Sequence, residues 1–280
     1  MPYVLNDKVI LLSIYLELAQ LYIQQTNVEK GIEYLNKGKE YAFKLVYYEN
    51  KLFGNYEVKK IRGEIKIHYI LAQYYELLAE YEDNVKEKKT LLYWARKSIK
   101  YAYEEHMKCR IDTWGGDKLY FSLCRNYATI NYRYGTLCND MIIEESDRLF
   151  SKSLELLIHS NRYLEDKVIT CICYAKFLYN RADEIDKAID LLKTALECAV
   201  TMCDRLIPGS EKITLKVICP LLECLLLEKQ FDEIDGIFEL FKKFNWGENK
   251  LTMEEQKTIC QIYNNMSYYY WELHLSLIHI

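Results

Sequence analysis

The groups in this chain able to ligate a metal or move a proton are ten cysteines, five histidines and several adjacent carboxylates. A zinc site on a helix needs two ligands on one face, and His68, His106, His159, His274 and His279 are dispersed, with no pair four residues apart. Cys171-x-Cys173 is the tightest cysteine pair, yet residues two apart on a helix point to different sides. Cys198 with Cys203, and Cys219 with Cys224, are equally poor pairs. General acid–base chemistry asks for a shielded carboxylate with a shifted pKa, whereas Glu104–Glu105 and Glu144–Glu145 read as solvated faces. Neither the Walker spacing nor the dinucleotide glycine fingerprint occurs. The expectation is a chain with no catalytic residue, no metal site and no cofactor, and therefore not an enzyme.

What remains is a scaffold, and its elements follow from composition. Half of the residues are apolar, while the chain has only ten glycines and three prolines. Turn chemistry is therefore scarce, which excludes a β-sandwich or a large α/β enzyme and predicts an all-α chain. With 37 basic against 41 acidic residues, it offers no electrostatic footprint for a phosphate backbone, so no nucleic acid is expected as partner. The locally basic stretch Lys86–Arg110 reads as a solvated helix face followed by a charged loop. No uncharged apolar run is long enough to cross a membrane, and Met1–Leu12 has no secretory signal pattern. Cysteines within apolar helical patterns, such as Cys138, Cys171 and Cys224, behave as small hydrophobes, so the expected location is the reducing cytoplasm.

The pattern that recurs is one of helix pairs. Tyr15, Leu18, Ala19 and Tyr22 precede Gly31, Leu35 and Gly38; Cys171, Tyr174, Ala175 and Leu178 precede Ala188, Leu192 and Ala195. A small residue on the first helix lets the second approach closely, and large residues on either side fill the gap. Looser copies use Leu71, Ala72 and Tyr75 with Leu91–Ile99, then Tyr127, Ile130, Asn131 and Tyr134 with Ser146, Phe150 and Ser153. A fifth uses Leu221, Leu222 and Leu225 with Ile234 and Phe238, and a sixth begins at Tyr263, Met266, Ser267 and Tyr270. Tyr47–Glu57 and Asp112–Lys118 are the expected loops, Ser210 the expected N-cap after Pro208-Gly209, and Pro220 the expected site of a kink or late helix start.

These large–small–large signatures resemble the tetratricopeptide family, as a divergent, long-helix member. The resemblance implies a right-handed superhelix, an α-solenoid of stacked antiparallel helix pairs. Residues 1–280 would form a single domain of about five and a half hairpins, truncated at the C-terminus. It also implies a concave groove lined by the first helices, in which a protein or peptide ligand lies. Carried over position by position, the groove residues are Gln20, Gln24, Lys66, Gln73, Arg125, Tyr132, Lys176, Tyr179 and Asn180. Amides can satisfy both donors and acceptors of a peptide backbone, and Arg or Lys can hold a carboxylate. The function implied is a non-catalytic binding scaffold, or the sensor part of a larger bacterial regulator; the alternative is an RNA-binding helical repeat.

Overall fold

A chain this poor in glycine and proline, with apolar residues at three- and four-residue steps, can satisfy its backbone only within long helices. The computed structural model describes residues 2–25, 27–49, 57–108, 116–138, 143–158, 163–180, 184–244 and 251–278. Among them it forms helices and no strand. The helices are α1 (Pro2–Gln24), α2 (Val28–Glu49), α3 (Glu57–Glu80), α4 (Val85–Lys108), α5 (Gly116–Cys138) and α6 (Ile143–Ile158). They continue with α7 (Leu164–Tyr179), α8 (Ile185–Asp204), α9 (Ser210–Leu227), α10 (Ile234–Lys242) and α11 (Met253–Ile278). Two compact units divide the chain, Met1–Leu156 and Leu157–Ile280. No helix among the described residues is long and apolar enough to cross a membrane.

In the first unit the opening hairpin is closed by small residues, as the spacing predicts. Gly31 of α2 lies against the Ala19 carbonyl of α1, where an added β-carbon would stand 3.1 Å from that oxygen. Around this contact Tyr22 stacks on Tyr34 with ring centroids 5.3 Å apart, and Tyr15 packs near both Tyr34 and Tyr41. Gly38 makes room for the next hairpin: its missing side chain leaves the space that the Tyr74 ring of α3 fills. The buried Tyr74 hydroxyl then donates to the Leu12 carbonyl of α1 at 2.6 Å, tying three helices together.

The second pair joins two long helices by a short loop. Only Tyr81–Asn84 separates α3 from α4, and the Asn84 side chain caps α4 by accepting from the amides of Lys86 (3.0 Å) and Glu87 (3.3 Å). In the third pair the small position is polar. Asn131 is 0% exposed and is satisfied on both sides: Arg96 Nε donates to its Oδ1 at 2.8 Å, and its Nδ2 donates to Glu145 at 3.1 Å. Tyr127 Oη completes the group by donating to Glu145 at 3.2 Å. Ser146 and Ser153 of α6 are buried as the small positions of the second helix.

The second unit repeats the plan with an apolar seam. Cys171, Tyr174, Ala175 and Leu178 of α7 are buried, as are Ala188, Leu192 and Ala195 of α8. Four local expectations are corrected here and in the loops. Gly209, at φ 81°, takes the cap position before α9, so Ser210 is a buried first helical residue. Helix α9 starts at Ser210 and continues through Pro220, so the late start does not occur; Val217, Ile218, Leu221 and Leu222 on either side are all buried. Gly116–Lys118, expected in a loop, open α5, while Trp114 and Gly115 lie outside the described residues. Ser267 of α11 is exposed, whereas the equivalent Ala19, Ala72, Asn131, Ala175 and Leu222 are buried.

Candidate functional site

First helices carry the residues on which a groove would depend. On α3, Lys66, Tyr69, Gln73 and Glu76 follow at steps of three and four, so they share one face. On α5, Asn126 and Arg133 are two turns apart and meet that face. Asn126 Nδ2 donates to Tyr69 Oη at 3.0 Å, and Gln73 Nε2 reaches the same oxygen at 3.5 Å. Three residues along α3, Arg133 Nη1 donates to Glu76 Oε1 at 3.0 Å. Arg125 joins from behind, its Nε donating to Asn126 Oδ1 at 3.3 Å. The result is a seam of fixed amide, phenol and guanidinium groups with Lys66 exposed at its head.

Burial and one guanidinium set the seam's electrostatics. Burial pushes the Glu76 carboxyl above the ordinary carboxylate range, and the Arg133 guanidinium opposes that shift. Tyr132 on the same helix is pushed up by burial.

Of the nine residues expected to line a groove, the structure brings Gln73 and Arg125 into this seam, with Lys66 at its edge. Arg125 is 9% exposed and packs behind Asn126, which bonds Tyr69 of α3. Tyr132 is half-buried on α5 beside Arg133. Gln20 is exposed on α1, and the side chain of Gln24 lies outside the described residues. Lys176, Tyr179 and Asn180 belong to the second unit. There the Asn180 amide donates to the Lys176 carbonyl at 2.7 Å, closing the end of α7, while burial and Glu223 push the Tyr179 hydroxyl up. The seam also takes in Tyr69, Glu76, Asn126 and Arg133, which are not among the nine. Lys66, Tyr69, Gln73 and Glu76 keep one polar face at helical spacing between the buried Ile65, Ile67, Ile70, Leu71 and Tyr74.

The decisive observation for the class of fold is that consecutive helices pack in pairs, with Gly31 closing on Ala19 in the opening pair and Ala175, Ala188 and Ala195 buried in the α7/α8 pair. The fold is tetratricopeptide-like. No protein-family model and no curated protein sequence matches the chain. Among solved structures it is similar to the TPR-like repeats of an assigned kinesin light chain from Podosopora anserina, at 13% identity and a TM-score of 0.48. That match covers 87% of this chain and 95% of the other. It is also similar to the nuclear import adaptor Nro1 of S. pombe, at 10% identity and a TM-score of 0.36, over 96% of this chain and 95% of that one. The reading of this tetratricopeptide-like fold rests on the hairpin geometry itself, since both TM-scores lie below 0.5.

Proposed function

We propose that the chain is a non-catalytic scaffold that binds a protein or peptide on the first-helix face of its N-terminal unit. The observation that carries this reading is the α3/α5 seam. Tyr69, Gln73 and Asn126 are held by one another at fixed positions yet remain only half-buried. Such groups lose little side-chain freedom when an extended backbone docks on them, which lowers the entropic cost of binding. Lys66, exposed at the end of the same stripe, suits an acidic side chain or a free C-terminus on the ligand.

The test is affinity capture from lysate of the chain's own source at moderate salt, comparing the parent with Gln73→Ala/Asn126→Ala and with Lys66→Glu. A defined protein or peptide retained by the parent and lost from both variants, with helical content and thermal midpoint unchanged, is the expected result. The same partner retained by the double variant overturns the assignment of the seam. Recovered RNA whose binding falls steeply with added salt would replace the scaffold reading with a nucleic-acid one centred on basic helix α4.

A further inference from the structure

Lys66, Gln73 and Glu80 stand seven residues apart on α3, so nearly two full turns separate each from the next and the three lie almost in line. Along the open edge of the α3/α5 seam they form a row of cation, amide and anion. Lys66 and Glu80 are exposed at its ends, and Gln73 is half-buried between them. Fourteen residues of helix separate the two charges, about 21 Å along the axis.

The charges inside the seam are matched, and those at its ends are not. Arg133 holds Glu76 at 3.0 Å, and the Arg125 guanidinium also acts on that carboxylate. Lys66 and Glu80 make no ion pair or hydrogen bond with another described residue. Glu80 still belongs to the same electrostatic surface, because its charge adds to the upward push on the Glu76 carboxyl. It is also the last residue of α3, whose last turn carries no basic residue. A helix C-terminus favours a cation, so the helix dipole reinforces the negative potential that the Glu80 carboxylate sets up there. Of the lysines that open α4, Lys88 lies on the Glu82 carbonyl at 3.4 Å.

Such a row selects by charge order. A nucleic acid or an all-acidic peptide loses at Glu80 what it gains at Lys66, and a polybasic segment does the reverse. A ligand that carries both signs, the right distance apart, gains at both ends. An extended chain rises about 3.3 Å per residue, so about six residues cover the row, and the reach of the end side chains widens that to about five to seven. Midway, the Gln73 and Asn126 amides, held on the Tyr69 hydroxyl, are placed to meet the backbone of that chain.

We propose that the ligand of the seam is an extended peptide bearing a carboxylate and a lysine or arginine about five to seven residues apart, the carboxylate seated at Lys66 and the cation at Glu80. The inference rests on the reading of the seam as a peptide site and adds the charge pattern and register of what lies in it. The carboxylate is an acidic side chain or the free C-terminus of the peptide, since Lys66 offers the same point charge to either.

The test is selection from a library of random peptides displayed with free C-termini, each about twelve residues long and so able to span the row. The baits are the full chain, Lys66→Glu, Glu80→Lys and Gln73→Ala/Asn126→Ala, with unchanged thermal midpoints as the check on folding. Peptides enriched on the parent are expected to carry the carboxylate and the basic residue at the stated spacing. On Glu80→Lys an acid should replace the basic residue, and on Lys66→Glu a basic residue should replace the acid. In fluorescence anisotropy with one enriched peptide, reversing its basic residue to glutamate should weaken binding to the parent about three- to tenfold, and Glu80→Lys should restore it. Loss on amidating the C-terminus assigns Lys66 to that group, and loss on changing the acidic side chain to its amide assigns it there; loss on neither overturns the inference. Enriched peptides that depend on Gln73 and Asn126 but share no spaced charge pair overturn it too, and leave the seam as a peptide site. No enrichment, or peptides retained equally by Gln73→Ala/Asn126→Ala, removes the site itself and this inference with it.

Discussion

Gly38→Ala offers a quantitative test of how the helices are spaced. A β-carbon at Gly38 would collide with the hydroxyl, Cζ and Cε1 of Tyr74, a ring that is fully buried and bonded through its hydroxyl to the Leu12 carbonyl. Alanine gains roughly 1 kcal/mol of helix propensity over glycine. Against this, overpacking a filled site costs about 1–3 kcal/mol, and displacing the Tyr74 hydroxyl costs about 1 kcal/mol more. The net expectation is a loss of about 2 kcal/mol, seen as a fall of about 4–8 °C in the thermal midpoint for a chain of this size. Gly236→Ala is the internal control, since a β-carbon there meets nothing within 4 Å on helix α10. It should stabilise by about 0.5–1 kcal/mol. Urea unfolding followed by circular dichroism gives both values. A cycle adding Tyr74→Leu should recover at least half of the Gly38→Ala loss, as coupled neighbours do. If Gly38→Ala matches or exceeds the parent in stability, Tyr74 is not seated against α2 and the close-approach argument fails.

Two further outcomes follow from buried groups. Burial holds the His68 imidazole down at about 4, with Nδ1 unbonded and the Tyr101 ring 4.3 Å away. The unfolded chain takes up that proton near pH 6.5 while the folded chain resists it. Stability is therefore complete above pH 6.5 and is lost as pH falls towards 4, by about 2–3 kcal/mol from this residue. Urea titrations at pH 7, 5.5 and 4.5 should show a shallower loss in His68→Leu than in the parent; parallel losses would contradict the assignment. Burial pushes the thiols of Cys124 and Cys171 up to about 12, whereas Cys260 is exposed. Iodoacetamide at pH 8, mapped by peptide mass spectrometry, should modify Cys260 first and leave Cys124 and Cys171 protected until the chain unfolds.

The hairpins were legible because their signal is local. A glycine or alanine between large residues states directly that another helix passes close by, and Ala19, Gly31, Ala175, Ala188 and Ala195 all do what their spacing implies. Features that depend on a distant partner were not. One residue along a helix is a rotation of about 100°, so spacing alone does not tell that Asn126, and not its neighbour Arg125, bonds Tyr69 of α3. Asn131 keeps the small position's spacing, but Arg96 and Glu145, which make a polar residue tolerable there, come from two other helices. The exposure of Ser267 was equally hidden, since its spacing is that of the buried Ala19 and Ala175.

The Arg96–Asn131–Glu145–Tyr127 group has a consequence for how the chain reaches its native state. Stacked hairpins with interchangeable Leu/Ala seams can pack against the wrong neighbour, because each seam resembles the next and a displaced pairing still buries apolar surface. Only one arrangement brings a guanidinium and a carboxylate to opposite sides of the Asn131 amide. Any other leaves that amide without partners in an apolar layer, at about 1–3 kcal/mol for each group stranded. The group therefore acts as an address within the array, since the cost of stranding it separates the native pairing of α4, α5 and α6 from any displaced one.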